Sequence, residues 1–274
     1  MHSIQTPHFL IAGGRVRPRV PGEISNELAG QIAAELVPLG LVPDGPAFER
    51  VFVDAVLSTQ PDPERAWAAF YANTLGRLHR AADADGAAST GAGADAGSVA
   101  TFARIYQRAL SLVRGTTVLD VGSCFGFLPL LAAERDPRLK VIGTDLVPAA
   151  AALAGRISRA RGGRARFAAA DLLNLPVGDQ AVDTVLAVHV LEHLPPGVSA
   201  LALAQLRRVA RRRVVVAVPL EEVPDPTFGH LQAFDLPRLS RLGAGAPGWS
   251  CAVHAADGGW LVLDRDPGEP CPIG

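Results

Sequence analysis

Thr117-Val118-Leu119-Asp120-Val121-Gly122-Ser123-Cys124-Phe125-Gly126-Phe127 is the stretch that decides the fold class. It opens on β-branched and apolar residues that run into a carboxylate. Gly122 and Gly126 follow, and an apolar helical pattern begins behind them. Strand, tight glycine turn, helix is the ligand-binding corner of an open α/β sheet. The spacing narrows the choice. A dinucleotide fingerprint needs glycine at its first, third and sixth positions, which here are Gly122, Cys124 and Phe127, so the last two fail. No Gly-Lys-Ser/Thr follows, which excludes a phosphate-binding P-loop.

Outward from this corner the pattern alternates strand and helix, as βαβ units require. Strands are expected over 117–121, 140–144, 165–169, 184–189 and 214–218, with helices over 128–135, 148–160 and 200–210. The tail reads as a hairpin, 250–254 and 260–264, around Asp257-Gly258-Gly259. The fold class is therefore α/β, with a mostly parallel sheet finished by an antiparallel hairpin.

The N-terminal part reads differently. Residues 9–12 and 15–20 make a hairpin around Gly13-Gly14, with Arg15, Arg17 and Arg19 on one face. A charged face protecting an edge strand explains the arginines better than an acidic substrate does. Ser25 is placed to cap a helix ending near Glu35. Asp62-Pro63 starts another, whose Trp67, Phe70, Tyr71, Leu75 and Leu78 share one face and read as core. Residues 83–97 hold almost nothing to bury and read as a linker. Ser98 caps a helix striped by Phe102, Ile105, Tyr106, Ala109 and Val113, with Gly115 ending it. The expected division is 1–97, a hairpin and helical cap, and 98–274, the α/β domain.

Bulk properties exclude several classes. A net charge of −1 gives no electrostatic footprint for nucleic acid. Cys124, Cys251 and Cys271 form neither a metal pair nor a disulfide framework, which fits a reducing, cytoplasmic setting. Apolar runs are broken short of a membrane span, and Phe9-Leu10-Ile11-Ala12 with arginines behind it is no signal peptide.

Three acids stand at successive strand ends. Asp120 closes the first strand, Asp145 the second, and Asp171 follows the third. Ligands bind on that carboxyl edge, so three acids there are harder to dismiss than one. An acid two residues before the first glycine, with a second glycine four after it, fits S-adenosylmethionine. Asp120 would offset its ammonium and sulfonium charges, and amides around Gly122, Ser123, Cys124 and Gly126 would meet its carboxylate. Asp145, about 20 residues past the glycine turn, would take the ribose hydroxyls. Asp171 would accept from the adenine amino group.

These motifs, with Val141-Ile142-Gly143-Thr144-Asp145, Ala170-Asp171-Leu172 and Val188-His189-Val190-Leu191-Glu192-His193-Leu194, resemble class I S-adenosylmethionine-dependent methyltransferases. The resemblance runs from about Phe102 to the end of the chain. It implies a Rossmann-like doubly wound sheet with a helical N-terminal extension. It extends the cofactor set to Leu146, Leu172 and His189. One departure is Cys124, where the family usually has glycine.

Methyl transfer to a hydroxyl needs in-line alignment and removal of a proton, and imidazole suits the latter. His230 is the first candidate base or acceptor anchor and His193 the second. Both belong to segments on the carboxyl edge, His230 in the Pro-punctuated loop after the fifth strand. Glu221, Glu222, Asp225 and His230 could coordinate a divalent cation, but their spacing does not demand one, and no metal ligand is assigned. The glycine loop together with Pro219-Leu220-Glu221-Glu222-Val223-Pro224-Asp225-Pro226-Thr227-Phe228-Gly229-His230 resembles the mycofactocin oligosaccharide methyltransferases of actinobacteria. That resemblance implies O-methylation of a glucose unit on a glycan. The partner is then a small-molecule or oligosaccharide acceptor. Lipid, quinone or amine acceptors, and a cofactor-binding pseudoenzyme, are the competing readings.

Overall fold

The computed structural model describes residues 3–85, 99–245 and 247–265. Ser98, most of the expected linker and Cys271 lie outside them. The chain divides into two compact units. One is Met1–Gln107 with Asp225–Gly229; the other is Arg108–Pro224 with His230–Gly274.

The first unit opens with a small antiparallel sheet of β1 (Ile4–Gln5), β2 (Phe9–Ala12) and β3 (Arg15–Pro18), in that order. Gly13 and Gly14 both adopt positive φ, as a two-residue hairpin turn demands. β3 is an edge strand with Arg15 and Arg17 exposed, which agrees with the edge-protecting role, while Val16 between them points into the core. Three helices follow: α1 (Glu27–Glu35), α2 (Gly45–Leu57) and α3 (Pro63–Asp85). Ser25 does not cap α1. It is buried, and Asn26 occupies the cap position without a side-chain bond. Asp62 does start α3, accepting from the Glu64 amide at 2.9 Å. Phe70, Tyr71, Leu75 and Leu78 are buried with Phe9, Ile32 and Phe52.

Helix α4 (Val99–Ser111) leads into the second unit, whose further elements are β4 (Thr117–Val121), α5 (Phe127–Arg135), β5 (Lys140–Asp145), α6 (Pro148–Ala160), β6 (Arg166–Ala169), β7 (Val182–Val188), α7 (Ser199–Val209), β8 (Ala210–Val218), α8 (Leu236–Ala244), β9 (Trp249–Ala255) and β10 (Gly259–Arg265). The seven strands order β6-β5-β4-β7-β8-β10-β9. All pairs are parallel except β10 with β8 and with β9. This is the expected Rossmann-like sheet with an antiparallel end. Its strand order reverses between β4 and β7, which marks the switch point where such sheets bind ligands.

Gly115 does not end α4. It turns the chain into β4 with φ +77°, and a Cβ there would come 2.4 Å from Asp183. Asp183 organises the amino edge of the sheet. One of its oxygens accepts from the Thr116 and Thr117 amides and the Thr117 hydroxyl, and the other pairs with Arg211 and Arg212. Burial works against its charge, but these bonds outweigh burial and hold the carboxyl far below its ordinary range. Arg213 clamps Asp264 with two bonds of 2.7 and 2.6 Å, tying β8 to β10.

Candidate active site

Asp120, Gly122, Ser123, Cys124, Gly126, Asp145, Leu146, Asp171, Leu172, His189, His193 and His230 all belong to the second unit. All but His230 stand at or just past the carboxyl ends of β4, β5, β6 and β7, and His230 follows β8.

The turn after β4 is built from left-handed residues. Gly122, Cys124 and Gly126 have φ of 68°, 50° and 72°. The glycines make room for the protein's own side chains. A Cβ on Gly122 would fall 2.6 Å from Val190, and one on Gly126 would fall 2.4 Å from Phe167. Cys124 holds the same backbone region with a side chain, and its thiol is exposed. The turn is tied to β5 twice. The Ser123 amide donates to the Thr144 carbonyl at 2.8 Å, and the Cys124 amide to Asp145 Oδ2 at 2.7 Å. No side chain caps α5, so its amino end offers partial positive charge to whatever binds there.

Asp120 is only 3% exposed. Burial, then the charge of Asp145, raises its carboxyl well above the ordinary range. Ser123 Oγ is buried with no hydrogen-bond partner. A protein-only arrangement leaves both groups at a cost, and a polar, cationic ligand relieves both. Asp145 Oδ1 accepts from the Val147 amide at 2.9 Å, and Leu146 beside it is 71% exposed. Asp171 Oδ1 accepts from the Leu173 amide at 2.8 Å and starts a short 3-10 turn, Leu172–Asn174. The Leu172 side chain goes into the core, so only its backbone remains for a ligand.

Past β7, His189 has φ +55° and its Nδ1 lies 3.2 Å from Glu192 Oε1. The short turn Leu191–His193 is pinned to the 231–232 segment. The Leu231 and Gln232 amides donate to the Glu192 carbonyl, and Gln232 Nε2 donates to the carbonyls of Leu191 and Leu194. This clamp sets the His193 and His230 rings edge to face, with centroids 5.0 Å apart. His230 Nδ1 meets both oxygens of Glu221 at 2.9 Å. A bridge between Leu220 and Phe234 closes the loop that carries Glu221 and His230. Sequence reasoning missed Glu192 and Gln232. Burial of Glu192 and the contacts of Gln232 are tertiary facts with no local pattern.

Among the described residues, Glu192, His193 and His230 are gathered with donor atoms within 4.8 Å of one another. This differs from the acidic-loop set, since Glu222 and Asp225 are not members; Asp225 Oδ1 instead accepts from the Thr227 amide at 2.8 Å. A concavity of about 550 Å³ lies in the first unit against Arg15, Arg17, Asp54 and Thr59. It shares no residue with the sheet edge, so its size does not make it the reaction site.

Residues 118–213 match a family model described as a methyltransferase domain. A demethylmenaquinone methyltransferase of Thermus thermophilus is 43% identical over 68 residues, which are 25% of this chain and 31% of that relative. The chain thus aligns with less than a third of the length of the curated relative it matches. The PH0226 protein of Pyrococcus horikoshii OT3 superposes with a TM-score of 0.52 at 16% identity, covering 63% of this chain and 94% of the other. Magnesium protoporphyrin IX methyltransferase of Synechocystis PCC 6803, solved with bound SAH, does so with a TM-score of 0.51 at 17% identity, covering 70% and 94%. These likenesses are likenesses of fold. The segment that matches the methyltransferase-domain model, 118–213, runs from β4 into β8 of the Rossmann-like sheet. Among the described residues no helix is long and apolar enough to cross a membrane.

Proposed function

We propose that the protein is an S-adenosylmethionine-dependent O-methyltransferase acting on a hydroxyl-rich small molecule or glycan. The observation that carries the cofactor assignment is the Asp120–Asp145 pair, whose mutual repulsion a sulfonium and ammonium ligand turns into attraction. Asp145 takes the ribose hydroxyls, the exposed Leu146 lies against the adenine, and Asp171 with the Leu172 backbone reads the adenine edge. The turn amides of Gly122, Ser123, Cys124 and Gly126 hold the methionine carboxylate, and His189 lines the same edge. When bound, the cofactor supplies an electrophilic methyl group.

On the acceptor side, Glu221 orients the His230 imidazole, the group that takes a proton from the acceptor hydroxyl. His193 stands beside it as a second polar contact. The resemblance to mycofactocin oligosaccharide methyltransferases makes a glucose hydroxyl the first acceptor class to try. A quinone-type acceptor is the second reading, favoured by the local identity to demethylmenaquinone methyltransferase.

The test is turnover with a methyl-labelled donor against glucosylated and quinol acceptors, followed by mass spectrometry. The expected product gains one methylene mass on a sugar oxygen. Label on a quinone ring carbon selects the second reading. Donor binding without turnover on any acceptor leaves a pseudoenzyme. His230→Ala should lower turnover by about 10²–10⁴-fold with donor affinity intact.

A further inference from the structure

We propose that Glu192, His193 and His230 bind one divalent transition-metal ion of the zinc class at the mouth of the acceptor site. The position against the acceptor rests on the methyltransferase reading; the ion binding itself does not.

Glu192 carries the argument. Its side chain is 0% exposed, and neither carboxylate oxygen makes a hydrogen bond. Oε1 stands in ion-pair contact with His189 Nδ1 at 3.2 Å. A buried carboxylate left this way is costly, and native structures rarely leave one without a reason. The carboxylate faces two imidazoles whose donor atoms lie within 4.8 Å of it and of each other. Ligands at about 2.0–2.2 Å from one ion sit about 3.3 Å apart in a tetrahedron. Binding an ion would draw the three side chains together by about that difference.

The surroundings fit the chemistry. Glu221 meets His230 Nδ1 at 2.9 Å, and a carboxylate behind a ligand imidazole is the usual support for a bound metal. The clamp through the Glu192 carbonyl and Gln232 fixes the two chain segments that provide the donors. Two imidazoles and one carboxylate leave coordination open to a water or hydroxyl, as in open zinc sites. That donor set favours zinc-like ions over magnesium or calcium, which prefer oxygen alone. An ion on His230 takes its imidazole out of proton transfer; in the loaded protein the metal would instead lower the pKa of the acceptor hydroxyl, whose proton passes to solvent water.

The experiment uses the full chain stripped with chelator. Zn²⁺ is titrated by calorimetry, and Co²⁺ by visible absorption. The expected result is one ion per chain, with the intense d–d bands of a four- or five-coordinate cobalt. His193→Ala and Glu192→Gln should each weaken binding by about 100-fold or more, and Glu221→Gln by about 10–100-fold. His193 is exposed, so its variant reads the site even where Glu192→Gln unfolds. Absence of binding, or unchanged affinity in His193→Ala, overturns the proposal. S-adenosylhomocysteine binding and methyl turnover of the stripped protein are measured alongside. Zinc bound without donor binding keeps the site and removes the methyltransferase reading; turnover without zinc binding removes the site alone.

Discussion

Asp145 Oδ2 accepts a hydrogen bond from the Cys124 amide at 2.7 Å, so the acid at the end of β5 also holds the turn after β4. One carboxylate thereby serves loop and ligand together. Asp145→Ala is expected to weaken S-adenosylhomocysteine binding by about 10–100-fold, the worth of one or two charge-assisted bonds. Asp145→Asn keeps one acceptor and should lose less. Calorimetry decides, and equal affinity in wild type and Asp145→Ala would remove the ribose assignment.

Cys124 holds a left-handed backbone with a side chain attached, at a cost of about 1 kcal/mol relative to glycine. Cys124→Gly should raise stability by up to that amount with donor affinity retained. Denaturant midpoints read the first and calorimetry the second. A destabilised Cys124→Gly would mean the side chain contributes contacts that outweigh the strain.

Asp120 gives a pH dependence with a definite sign. Burial and Asp145 raise its pKa in the free protein, so at a given pH it holds its proton more than an exposed aspartate. A cationic donor favours the ionised form, so binding releases that proton. Affinity for the donor should therefore strengthen as pH rises toward the raised pKa and level off above it. Asp120→Asn should flatten the profile. A wild-type profile that is already flat argues against Asp120 as the counter-charge.

Asp183 makes the opposite kind of prediction. Its folded pKa is depressed, with bonds from Thr116, Thr117 and Arg211 overcoming burial. Such a group stabilises above its unfolded value, about 3.9, and that stability is lost as pH falls below it through the folded value. Asp183→Asn is expected to cost about 2–4 kcal/mol at neutral pH and to reduce the acid sensitivity of the unfolding midpoint. It lies at the amino edge, away from the turn, so donor affinity should hold. Acid unfolding identical to wild type would contradict this.

The α/β core was legible because its signals are local. Val118, Leu119 and Val121 announce a buried strand, Gly122 and Gly126 the turn, and Pro148 the start of α6 at the residue expected. Ser25 and Gly115 misled for the converse reason. Each is a good cap by type, but Ser25 is buried before α1 begins, and Gly115 is held by Asp183 from a distant strand. Helix α8 went unread although Asp235 and Pro237 mark its start and Leu236, Leu239 and Leu242 keep helical spacing, because its nine residues make a short pattern behind a Pro-rich loop. His193 and His230 could be nominated from sequence. Their closeness could not, since it depends on Gln232 reaching three partners on another segment.

The bridge between Leu220 and Phe234 pins the two ends of the segment between them to each other. Its tip is not a free crown: residues 225–229 cluster with the first unit, where Phe228 meets Phe48 edge to face. A graft meant to alter selectivity while leaving Glu221 and His230 where they stand must therefore keep Phe228 and Gly229 and vary only residues 222–224.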